Sequence, residues 1–210
     1  EPEVVCMFED IESSITISLR DFLRKDSGKL YWYDGETGKE KSVSVKNPVV
    51  IYNGRRVLGD TDSYFRAGTG SLRLVSNYGG MYDVVFINSY SFAEVYSMDT
   101  LDDILRDKNS NDYTVDMSNA VYRIFDENGQ EIDKFDISAN EVFGVLQSED
   151  HGFVQLKRIG KKITGTITAR TEEKLIIDGV EYDMTAYFED VYLEKVNMGT
   201  KSTFSITDEG

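Results

Sequence analysis

The 210-residue chain is 40 % hydrophobic, enough apolar content for a sizeable core, and carries 38 Asp and Glu against 23 Lys and Arg, a formal net charge of −15. So acidic a surface repels phosphate backbones and anionic lipid, which argues against nucleic acid as a partner, and no run approaches the ~18 consecutive apolar residues of a membrane-spanning helix. A single cysteine, Cys6, excludes an internal disulfide but not secretion.

The chain opens EPEVV, with neither an initiator Met nor a signal peptide, as a processed protein or an excised piece of a longer one would. SITI (14–17) and SLRDFLRK (18–25) read either as a helix, with Leu19, Phe22 and Leu23 on one face, or as a long bent strand. KLYWYD (29–34), GETG and KEKSVSVK (39–46) form a hairpin signal. In its first arm Leu30 and Trp32 face one way and Tyr31 and Tyr33 the other. VVIYNGRRVL (49–58) places Asn53-Gly54 between two apolar arms, a strong hairpin cue because both residues tolerate positive φ. SLRLVS (71–76) and YDVVFINSY (82–90) follow, separated by NYGG.

FAEVYSMD (92–99) reads as extended, and TLDDILRD (100–107) as a β-arm after a turn in preference to a helical turn capped by Thr100. YRIFDENGQEIDKFDI (122–137) is a hairpin with Asn128-Gly129 at its tip, and 141–159 a third, turned at Glu149-Asp150-His151-Gly152. Residues 162–184 hold three short arms with turns at 171–173 and 178–179. AYFEDVYLEKV (186–196) is ambiguous between helix and strand, and TKSTFSITD (200–208) alternates again. Strands at this spacing predict an all-β fold of tandem small barrels or sandwiches with at most one or two short helices. The expected units are 1–92 and 93–210, with 163–210 either closing the second or beginning a third, incomplete one. A weak echo among KLYWYDGETGKEKSV, YRIFDENGQEIDKF and KLIIDGVEYDM leaves duplication open.

Catalytic chemistry finds little support. His151 is the sole histidine and sits in a polar turn, where nothing holds its imidazole in one tautomer. One His and one Cys do not make a closed zinc site. Acidic residues fall at turns or on the outward phase of strands, Asp83 after Tyr82 being the exception, so a glycosidase-type carboxyl pair lacks the burial that raises a pKa. DKNSNDYTVD (107–116) offers Asp107, Asn109, Asn111 and Asp112 as weak calcium ligands. The turn glycine of such a loop is replaced by Asp112 and its bidentate Glu by Ser118, so an Asn/Asp-rich turn is the better reading and no cofactor is expected. AGTGS (67–71) has no helix after it to cradle a phosphate. Tyr31 and Tyr33, sharing one strand face, are weak candidates for a glycan-stacking surface.

In YDVVFINSYSFAEVYSMDT (82–100) and the elements around it, the sequence resembles the repetitive β-domains of clostridial and other Firmicutes cell-surface proteins that carry S-layer-homology anchors elsewhere. The order of VVIYNGRRV (49–57), YRIFDENGQEI (122–132), the 141–159 strand pair and ITGTITARTEEKLIIDGVEYDM (163–184) carries the likeness over about 28–208. VSNYGGMYDVVFI lacks the acidic stretch that often precedes this strand in the family. The resemblance implies a non-catalytic extracellular spacer or assembly module, with other copies or envelope proteins as partners, and supplies no catalytic residues. Three rival readings are a carbohydrate-binding or adhesion module, a phage virion or tail component, and a hydrolase with two facing carboxylates.

Overall fold

The computed structural model describes residues 13–76 and 81–207; Cys6 and the NYGG segment (77–80) lie outside them. The fold is all-β with one short helix. The described residues divide into two compact units: the chain up to Tyr90 together with Ser148–Phe153, and Ser91–Gln147 together with the residues from Val154 onward.

The first unit contains β1 (Ser13–Ser18), β2 (Phe22–Asp26), β3 (Lys29–Asp34), β4 (Lys39–Tyr52), β5 (Arg55–Arg56), β6 (Gly70–Ser76) and β7 (Tyr82–Ser89). Its sheet runs β1-β6-β7-β4-β3-β2, with β5 on β4. The β4–β7 pair is parallel. Of the two readings left open over 14–25, helix or long bent strand, the helix does not form. A turn at 19–21 joins β1 to β2, and pairing captures the backbone instead: Leu19 N–H donates to Gly70 O at 3.0 Å and Tyr33 N–H to Asp21 O at 2.9 Å. Leu19 and Phe22 then meet the same core, while Leu23 is 48 % exposed. That core is Leu30, Val45, Val50, Leu72, Leu74, Val85 and Ile87 with their neighbours, and Trp32 packs against it. Each such side chain contributes about 1.5–3 kcal/mol through burial.

KSVSVK and VVIY, separate runs in the sequence, are one strand. Val43 and Val45 point to the same core as Val50 and Tyr52, although Val45 and Val50 are an odd number of residues apart. Strict alternation would send the two halves to opposite faces. A register shift between Val45 and Val49, with Asn47 at φ +48°, restores the phase. Pro48 sits inside this irregularity, where its missing N–H breaks no regular ladder. The first half of β4 pairs with β3, the second with β7 and β5.

The second unit contains β8 (Ser91–Asp99), β9 (Ile104–Asp107), β10 (Val115–Asp116), β11 (Val121–Phe125), β12 (Val142–Gln147) and β13 (Phe153–Arg158, whose first residue counts with the first unit), in the order β10-β9-β8-β12-β13-β11. A further sheet, β16-β15-β14-β17, is built from β14 (Lys162–Arg170), β15 (Lys174–Ile177), β16 (Val180–Asp183) and β17 (Lys201–Ser205), with α1 (Ala186–Tyr192) before β17. The β-arm expected after residue 100 is β9, and the ambiguous 186–196 segment is α1 followed by a 3-10 turn. Thr185 caps α1, its Oγ1 accepting Phe188 N–H at 3.2 Å. The 122–137 hairpin is shorter than its pattern. Beyond the turn there is one bridge, Phe125 to Glu131, and then Asp133 and Asp136 cap a 3-10 turn that takes the chain off the ladder. Gly165 in β14 lies under Ile177 and Asp178, each of which would stand 2.5 Å from an added Cβ, so this strand position takes no side chain.

Candidate functional site

The densest polar constellation lies where β8, β9 and α1 meet inside the second unit. Asp107 ends β9 at the head of the Asn/Asp-rich turn. Its Oδ1 accepts the N–H groups of Asn109 at 2.7 Å and Ser110 at 2.9 Å. Its Oδ2 accepts Glu94 N–H at 2.7 Å and the Tyr187 hydroxyl at 2.9 Å. A carboxylate offers about four acceptor positions, and these four donors fill them. Glu94 is the second anchor. Lys108 Nζ donates to its Oε1 at 2.9 Å and to Asn140 Oδ1 at 2.9 Å. Asn109 Nδ2 donates to Glu94 Oε2 at 3.1 Å, and the Tyr192 hydroxyl donates to that same oxygen. The Asn109 amide also meets both phenol oxygens, Tyr187 and Tyr192, at 3.1 Å each.

Packing orients these groups. The Tyr113 ring meets Tyr187 edge-on at 4.7 Å, and Tyr192 stands 6.3 Å from Tyr187 and 5.7 Å from Phe188. Phe188 continues to Phe204, 6.4 Å away, and into the cluster of Ile167, Leu175 and Ile177. The helix thus ties the β8–β9 ladder on one side to the β14–β17 sheet on the other.

The electrostatics suit fastening. Burial, reinforced by the carboxylates of Asp107 and Glu94 respectively, pushes the Tyr187 and Tyr192 phenols well above their ordinary value, so both stay protonated donors. Burial also pushes the Glu94 carboxyl up. Hydrogen bonds from Lys108, Tyr192 and Asn109 together outweigh that and hold it below the usual carboxylate range. The carboxylates are acceptors already supplied with donors and the phenols are neutral, an arrangement that presents no free nucleophile or base.

Of the residues weighed as weak calcium ligands, Asp107 spends its oxygens on protein donors, Asn109 faces the tyrosines, and Asn111 and Asp112 form an exposed 3-10 turn capped by Ser110. Among the described residues no three His, Cys, Asp or Glu side chains converge as a ligand set. Tyr31 and Tyr33 share the outer face of β3, as their spacing predicts. Arg24 lies 4.0 Å over the Tyr31 ring while forking onto Glu40 at 2.8 and 2.9 Å, which covers that ring against stacking; Tyr33 is 48 % exposed. His151 is exposed at φ +54° in its turn, with its backbone N–H on Ser148 O at 3.0 Å. Asp83 is half-buried at the start of β7.

Sequence reasoning missed Glu94, Tyr187 and Tyr192. The tyrosines stand 78 to 98 residues from their partners, so no local spacing announces them. The one legible signal was the clustering of Asp107 and Asn109, weighed as weak calcium ligands and read in preference as an Asn/Asp-rich turn. The chain matches no family model, and no curated protein or solved structure matches it.

Proposed function

We propose that the chain is a non-catalytic structural module, a spacer or assembly element of an extracellular, cell-surface protein. One observation carries the reading: the best-organised polar cluster spends its carboxylates and phenols on one another to fasten a helix to a sheet, where a catalytic site would keep them for a substrate. The acidic charge and the resemblance of the strand order to clostridial surface repeats support the same reading. Its partners are other copies or other envelope proteins, reached through sheet edges such as β16 and β17, which end the four-stranded sheet. Protease shaving of intact source cells tests this: peptides of this chain released without lysis are expected, and recovery only after lysis overturns it.

A second reading, glycan adhesion, keeps one favourable feature. Tyr33 is open on the outer face with Glu40 directly opposite it on β4. Glycan-array binding abolished by Tyr33→Ala would move the assignment there.

A further inference from the structure

We propose that Asn128 is a site of spontaneous covalent modification, deamidating through a cyclic imide to aspartate and isoaspartate, while the fold holds the other structurally described Asn-Gly pair, Asn53-Gly54, against the same reaction. The step uses the chain itself and water. The Gly129 backbone nitrogen gives up its proton and attacks Cγ of Asn128. The side-chain amide nitrogen leaves as ammonia and a five-membered imide closes. Water then opens either imide carbonyl, giving a carboxylate on the side chain or a backbone rerouted through it. Glycine in second place lets this ring close, because it has no Cβ to obstruct the attack.

The two pairs share a dipeptide and differ in surroundings. Asn128 is exposed at the tip after β11, and open space surrounds Gly129, with nothing within 4 Å of the position of an added Cβ. The attacking nitrogen is held by one turn hydrogen bond, Gly129 N–H to Asp126 O at 3.1 Å, which water can replace. Asn53 is 2 % exposed. Its side-chain oxygen accepts Ser89 N–H at 2.8 Å and its amide donates to Ser89 O at 3.1 Å. The Phe153 ring would stand 3.0 Å from a Cβ on Gly54, so that peptide is covered as well. Ring closure at Asn53 therefore requires a buried clamp to open first.

The modification alters a turn organised by one carboxylate. Asp126 Oδ1 accepts the N–H groups of Asn128 at 2.9 Å and Gln130 at 2.8 Å. A new carboxylate at 128 faces that charge, and the isoaspartyl form adds a methylene to the backbone. Both act against the single Phe125–Glu131 bridge and the Arg123–Glu131 pair, at 2.8 Å, that close the loop. The tip of this hairpin is thus a slow, irreversible ageing site confined to one loop of the second unit.

Prolonged incubation of the folded chain in mildly alkaline buffer, followed by peptide mapping, tests the proposal, with a urea-unfolded sample as the reference clock. Deamidation is expected at Asn128 in the folded chain and at both pairs at similar rates in the unfolded one. The folded rate at Asn53 should be lower by more than about a hundredfold, equivalent to about 2.7 kcal/mol of local opening. Asn128→Gln, an exposed change, should remove the mass gain of the folded chain. Comparable folded rates at the two sites, an unchanged mass gain in Asn128→Gln, or an intact Asn128 after the unfolded reference has converted would each overturn it.

Discussion

The two units solve one problem in different materials. In the first, β4 changes partner midway, leaving β3 for β7 across the irregularity at Asn47. In the second, β8 passes from β12 to β9 with Tyr96 as the extra residue, and β14 passes from β17 to β15 with Thr168 as the extra residue. A bulge lets one strand serve two ladders, at the cost of a broken pairing pattern that surrounding groups must stabilise. The first unit meets that cost with apolar packing and one buried amide: Val45 and Val50 return to a common core, and Asn53 joins the strand end to Ser89. The second unit uses ionised and phenolic groups, Glu94 and Asp107 beside the β8 bulge, closed by Tyr187 and Tyr192. Apolar packing is indifferent to pH, and the carboxylate–phenol latch is not.

Substitutions can break this contrast in graded steps. Phe143→Ala removes a fully buried ring from the second core, and a loss of about 3–5 kcal/mol is expected in urea unfolding, the largest effect here. Asn53→Ala strips the buried amide from the first unit and leaves the Ser89 backbone groups without it, an expected loss of about 1–3 kcal/mol in the same assay. Tyr187→Phe keeps the ring and deletes the bond to Asp107, which should cost about 1–1.5 kcal/mol with an unchanged denaturant slope.

The pH arms sharpen the comparison. Glu94 has a folded pKa below its ordinary 4.5, so its contribution is present above that value and is lost as pH falls through the depressed one. Tyr187 and Tyr192 are raised above the ordinary 10.0, so their contribution is complete below that value and is lost as pH rises beyond it. Urea midpoints recorded across pH should therefore decline on both sides, and Glu94→Gln should make the acid arm shallower while leaving the decline above the ordinary tyrosine value. The smallest effect belongs to Arg24→Ala: its fork to Glu40 is solvent-screened, so the midpoint should stay within measurement scatter while the Tyr31 ring becomes open.

Alternation and turn chemistry made the sheet content legible. β3 and the start of β4, the Asn53-Gly54 turn, β12 with β13, and the three arms of 162–184 all stand where period-two spacing and Asx-Gly punctuation put them. Where the sequence left alternatives open, a long-range partner decides them. Leu19, Phe22 and Leu23 have helical spacing, yet pairing with Gly70 and Tyr33 makes the segment two strands. KEKSVSVK and VVIY, read as separate runs, are one strand, because the bulge at Pro48 needs no donor. Asp107 reads as a weak calcium ligand because a sequence displays its oxygens and hides the donors that fill them.

Composition, alternation and turn residues by themselves decided that this chain makes strands joined by tight turns, with large apolar side chains on alternate faces, since those signals act between residues a few positions apart. Tertiary structure alone decided which strand changes partner, which asparagine is locked and which is open, and that two tyrosines near residue 190 belong to carboxylates near residue 100. Those outcomes depend on burial and on hydrogen bonds between distant segments, and burial is a property of the folded whole.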